Sequence, residues 1–132
     1  MAEILIIDDD EMMRLTLRNM LDRAGHSVRE AADGYEGEAM WREHRPDLVI
    51  TDLLMPAREG LETIKALRQE DKSIPIIAIS GGGRFGNADY LAIAQTFGAS
   101  AALRKPFKYR QLIGAADSLL ATGAGVATGT AA

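Results

Sequence analysis

The chain has 132 residues, 47% of them apolar and 26% charged, with no cysteine and a formal net charge of −4. That length fits one domain able to bury a core without help, and the missing thiols exclude a disulfide framework and a thiolate metal site. The acidic balance and scattered Lys and Arg speak against direct nucleic-acid contact, and no apolar run nears the roughly 18 residues that a membrane span requires.

Short apolar runs alternate with longer segments of helical period, the pattern of βαβ units building a parallel sheet covered on both faces. The first strand is predicted over Glu3–Ile7. A helix follows, with Met13, Leu17, Met20, Leu21 and Ala24 on one face and Gly25 placed to end it in the left-handed conformation. The second strand, Ser27–Ala31, carries too many polar residues for the centre of a sheet and reads as an edge. The next helix is weakly patterned, using Gly37, Met40, Trp41 and His44 and stopping before Pro46.

The third strand, Leu48–Thr51, and the fourth, Ile76–Ile79, are apolar enough to be central. Between them a helix over Glu59–Glu70 presents Gly60, Ile64 and Leu67. A fourth helix over Asp89–Phe97 would present Tyr90, Ala94 and Phe97 and end at Gly98, leading to a fifth strand, Ala101–Arg104. The last helix has the cleanest stripe, Leu112, Ile113, Ala116, Leu119 and Leu120. Residues 1–120 therefore form the predicted domain, and 121–132, small and uncharged, read as a disordered tail or the remnant of a linker.

In an open parallel sheet ligands bind beyond the carboxyl ends of the strands. Strand one delivers Asp8 and Asp9 there, strand three Asp52, strand four Ser80 and strand five Lys105. Singly each has a plainer reading: acids before a helix are common caps, a serine can start a loop, and a lysine can be solvated. Jointly they make a site. Gathered carboxylates repel, by roughly 4 kcal/mol for a pair about 4 Å apart at an effective dielectric near 20, and a hard cation such as Mg²⁺ offsets that cost. An ionised Asp52 beside a cation, a hydroxyl and an ammonium is equipped to accept a phosphoryl group. Asp10 and Glu11 are left over as a cap and a first-turn charge. Met55 and Pro56 read as a core filler and a turn-shaping residue.

With Asp8-Asp9 after strand one, Asp52-x-x-Met55-Pro56-x-x-x-Gly60 after strand three, Ser80-Gly81 after strand four and Lys105-Pro106-Phe107 after strand five, the chain resembles a receiver domain of the two-component response regulators, over residues 3 to about 120. The resemblance implies a doubly wound, flavodoxin-like five-stranded sheet of order 2-1-3-4-5. It implies that Asp52 takes a phosphoryl group from a histidine kinase or phosphotransfer protein. Asp9 and Asp52 would bind Mg²⁺ with the backbone carbonyl of Leu54, Asp8 would act through a water, and Ser80 and Lys105 would hold the phosphoryl oxygens. It also implies a cis peptide before Pro106 and no turnover of a separate substrate, while the lack of cysteine and of a basic-then-apolar start to the sequence fits a cytoplasmic location.

Two departures bear on output. Where many receivers carry an aromatic switch residue this chain has Ala102, and the loop "SGGGRFGNADY" is longer and richer in glycine than usual, so Phe85 or Tyr90 could stand in for the missing ring. Leu54 and Gly82, two after the acceptor and two after the hydroxyl, offer no polar side chain to organise an attacking water. The face made by helix four, strand five and helix five would meet a downstream protein or a second copy of the chain. The alternatives are a receiver-fold binding or dimerisation module working without phosphorylation and a haloacid-dehalogenase-like phosphatase read from Asp8-Asp9-Asp10, which expects Thr or Val where Met12 stands. A dinucleotide site at Gly81, Gly83 and Gly86 fails because those glycines follow strand four rather than strand one.

Overall fold

In the computed structural model of the chain the residues described are 2–53, 60–80, 92 and 94–122. Five strands, β1 (Glu3–Ile7), β2 (Ser27–Ala31), β3 (Leu48–Asp52), β4 (Ile76–Ser80) and β5 (Ala101–Arg104), form one parallel sheet of order β2-β1-β3-β4-β5. Both β3 and β4 run one residue beyond their predicted ends, so that Asp52 and Ser80 belong to the strands themselves. Four helices are described, α1 (Glu11–Arg23), α2 (Gly34–Glu43), α3 (Gly60–Glu70) and the C-terminal α4 (Tyr109–Ala121). Of the expected helix over Asp89–Phe97, residues 89–91 and 93 lie outside the described residues, as do Met55, Pro56 and the tail from residue 123; residues 92 and 94–96 are helical.

Alternation along the strands divides the core in two. Leu5, Ile7, Val49, Ile76 and Ala78 point to the face covered by Trp41 of α2 and by Ile64 and Leu67 of α3. Ile4, Ile6, Leu48, Ile50, Ile77 and Ile79 point to the other, under Leu17 and Leu21 of α1 and Leu112 and Ala116 of α4. Strands β1, β3 and β4 are buried on both sides, which is why their sequences are nearly continuous aliphatic runs. The edge position of β2 agrees with its mixed composition, and β5, more apolar, is the other edge.

Two details of the helices depart from expectation. His44 is not part of α2: it is the extended residue that caps the helix, and its exposed ring pairs with Glu3. Phe97 stays 40% exposed, whereas Ala94 is fully buried in the core. Gly25, at φ 93°, follows α1 as predicted, and its amide donates to the Asp22 carbonyl. At the edge where the strands begin, Ala2, His26, Asp47, Ile74, Asp117 and Leu120 line a cleft of about 660 Å³, at the opposite end of the strands from Asp8, Asp9 and Asp52.

Candidate functional site

Asp8 directly follows β1, and its amide donates to the Ala31 carbonyl of β2 at 3.1 Å. The chain then turns into α1, and the turn is stabilised by its own acids. Asp8 Oδ1 accepts from the Asp10 amide at 2.9 Å, and Asp10 Oδ1 accepts from the Met12 amide at 3.0 Å as the N-cap of the helix. Asp10 and Glu11 are thus the cap and first-turn charge that the sequence indicated.

Strand β3 brings Asp52 alongside. It is 6% exposed and Asp8 is 1% exposed, with Asp9 open to solvent between them. Asp8, Asp9 and Asp52 each offer an oxygen within 4.8 Å of the others. From the end of β5, Lys105 Nζ reaches 3.4 Å from Asp52 Oδ1 and 3.9 Å from Asp8 Oδ2 as an ion pair, and among the described residues neither of these buried oxygens has a well-formed hydrogen bond. The Lys105 amide donates to the Ser80 carbonyl at 2.8 Å, joining the ends of β4 and β5, and the Lys105–Pro106 peptide is cis. Ser80 is buried at the same sheet edge.

The electrostatics follow from that burial. Desolvation, aggravated by the neighbouring charge of Asp8, pushes the Asp52 carboxyl up to about 7 against the pull of Lys105. Asp8 is likewise raised, by burial first, with the Asp10 amide and Lys105 opposing. Two buried oxygens without a well-formed hydrogen bond among the described residues, an exposed third carboxylate and a hard-oxygen donor set fit a divalent cation that retains waters.

Gly60 explains how β3 and α3 meet beside Asp52. A Cβ there would stand 2.1 Å from the Asp52 carbonyl oxygen and 2.7 Å from the Leu53 Cα, so only glycine lets the helix start so close to the strand end. Its amide donates to the Leu53 carbonyl at 3.0 Å.

The sheet therefore brings together Asp8, Asp9, Asp52 and Lys105, with Ser80 at the neighbouring strand end. Leu54, Gly82, Phe85 and Tyr90 lie outside the described residues, and Ala102 sits partly buried in β5 opposite Ala78. Sequence reasoning missed Arg14 and Glu30. Arg14 donates through Nη1 to the Asp8 carbonyl at 2.7 Å and through Nε to Glu30 Oε1 at 3.1 Å. An arginine one turn into α1 and a lone acid facing it from the edge strand were the available signals.

A doubly wound parallel sheet with an acidic cluster and a lysine at the carboxyl ends of β1, β3 and β5 places a donor set suited to a cation and an anion where open α/β sheets bind their ligands. Residues 4–117 match the response regulator receiver domain, and the chain belongs to that family. It is 31% identical over 118 residues to the chemotaxis protein CheY of Halobacterium salinarum, covering 89% of this chain and 96% of that one. It is 30% identical over 128 residues to the virulence transcriptional regulatory protein PhoP of Salmonella typhimurium, covering 97% of this chain; the chain spans 56% of that relative's length. Among solved structures, the receiver domain of NtrX from Brucella abortus superposes with a TM-score of 0.85 at 30% identity, over 91% of this chain and 99% of that one. A receiver domain protein from Clostridium thermocellum gives 0.84 at 28%, over 92% and 95%.

Proposed function

We propose that Asp52 is the phosphoacceptor and that Asp8, Asp9, Asp52 and the Leu54 carbonyl hold Mg²⁺ beside it, with Ser80 and Lys105 at the phosphoryl oxygens. One observation carries the reading: Asp52 Oδ1 is buried, has no well-formed hydrogen bond among the described residues, and lies 3.4 Å from Lys105 at the carboxyl edge of the sheet. An Asp52 oxygen attacks the phosphorus of a phosphohistidine, the P–N bond breaks toward the imidazole, and an acyl phosphate remains on the protein. Lys105 would offset the added negative charge, and Ser80, buried at the same edge, would donate to a phosphoryl oxygen. Mg²⁺, when bound, neutralises further charge on the carboxylates and the incoming group.

The donor would be a histidine kinase or phosphotransfer protein acting in the cytoplasm. Met12, 67% exposed, and Leu15, 47% exposed, give such a protein an apolar contact on α1 directly beyond the acids. Output would pass through the face of β5 and α4 with the segment before them, to a downstream protein or a second copy of the chain. Ser80 would sense the phosphoryl group, and because Ala102 carries no ring, Phe85 or Tyr90 would complete the switch. Phe85→Ala should then reduce phosphorylation-dependent partner binding; unchanged binding would discard that role.

The test of the reaction is intact mass after treatment with a small acyl phosphate donor and Mg²⁺. Wild type should gain about 80 Da, one HPO₃, and Asp52→Asn or chelation by EDTA should abolish the gain. A wild-type chain without the gain would leave the binding or dimerisation module as the reading.

A further inference from the structure

Asp8 is held at its amide, at its carbonyl and at one carboxylate oxygen. Its amide is tied to Ala31 of β2, its Oδ1 to the Asp10 amide, and its carbonyl to Arg14, while its Oδ2 faces Lys105. The tie to Arg14 is the tie that comes from the first helix. Arg14 is itself fixed by Glu30, an edge-strand carboxylate that also takes Arg18; the hydrogen bond from Arg18, with that from Arg14 beside it, holds the Glu30 carboxyl below its usual range. Helix α1, the strand β2 and the end of β1 thus meet at one guanidinium, whose rigid fork serves two acceptors at once.

We propose that Arg14 is a positioning residue for the acidic edge, bridging the Asp8 carbonyl and the Glu30 carboxylate so that Asp8 and Asp9 are presented in cation-binding geometry. This rests on the Mg²⁺-dependent reading above. The sign of the effect separates positioning from simple electrostatics. Arg14 is a cation close to an acidic cluster, so by charge alone its removal raises the cluster's affinity for Mg²⁺. If it acts by holding the loop, its removal lowers that affinity. Arg18 provides the control, since it shares Glu30 and reaches the Val28 carbonyl at 3.3 Å without touching Asp8.

Mg²⁺ titration by calorimetry on wild type, Arg14→Ala, Arg14→Lys, Glu30→Gln and Arg18→Ala tests the proposal, with amide hydrogen exchange at Asp10 measured in metal-free protein. Arg14→Ala should weaken Mg²⁺ binding by about tenfold, as loss of a group that orients a metal ligand does, and should speed exchange of the Asp10 amide. Glu30→Gln should shift both in the same direction, and Arg18→Ala should change neither by as much. Unchanged or tighter Mg²⁺ binding in Arg14→Ala overturns the proposal. So does full rescue by Arg14→Lys, which keeps the charge without the fork. The exchange measurement needs no metal, so a wild-type protein that neither binds Mg²⁺ nor gains mass refutes the proposed function, while the Asp10 amide still reads the clamp.

Discussion

Lys105 stands close enough to both buried carboxyls to draw them down against the burial that lifts them. Removing its charge leaves Asp8 and Asp52 to repel across a partly desolvated gap. In Lys105→Met the Asp52 carboxyl should therefore titrate above its present value of about 7, and labelling by an acyl phosphate donor should need more alkaline solution. Carbon-detected NMR of the Asp52 carboxyl in metal-free protein measures the first effect, and the pH profile of mass gain the second. A midpoint that moves to lower pH in Lys105→Met would show that something other than the ammonium sets the charge state of Asp52.

Two glycines show how differently one substitution acts in two helices. At Gly60 a new methyl would meet the backbone of Asp52 and Leu53, which cannot yield as a side chain could. The start of α3 must withdraw, and Gly60→Ala should cost about 1–3 kcal/mol in urea unfolding and slow labelling of Asp52. At Gly114, exposed in α4, a methyl meets nothing within 4 Å. There the better helix propensity of alanine prevails, and Gly114→Ala should stabilise by about 0.5–1 kcal/mol. A stabilised Gly60→Ala would refute the close approach of α3 to β3. The strands were legible because Ile4–Ile7 and Ile76–Ile79 are apolar on both alternating faces. The site residues were legible because a parallel sheet must bring its strand ends to one edge. Less legible was anything depending on how one element turns against another. The reach of Arg14 to β2 requires the rotation of α1, the need for glycine at 60 requires the distance from α3 to β3, and the exposure of Phe97 depends on packing that a period of 3.6 does not determine.

For the molecule as a whole, the same buried acids make stability depend on pH. Asp52 moves from an ordinary 3.8 to about 7 on folding, and Asp8 moves in the same direction. Between those values the folded chain keeps protons that the unfolded chain has released, so stability falls as pH rises, by an amount on the order of a few kcal/mol. Glu30 and Asp71, held below their ordinary values, act with the opposite sign but only in more acid solution. From about pH 5.5 to about pH 8 the metal-free protein should therefore lose thermal stability, and Asp52→Asn should flatten the profile. Mg²⁺ should restore more stability at the alkaline end, where its ligands are ionised. A metal-free wild type that becomes more stable over that range would contradict the burial of these carboxyls.

Ala2 near the start of β1 and Leu120 near the end of α4 line the same cleft, across the sheet from Lys105. An affinity tag, a fluorophore or a surface linker attached at Ala2 or Leu120 would therefore depart from that far rim. Immobilised through either position, the protein would keep the rim of Asp8, Asp9 and Asp52 facing the bulk solution.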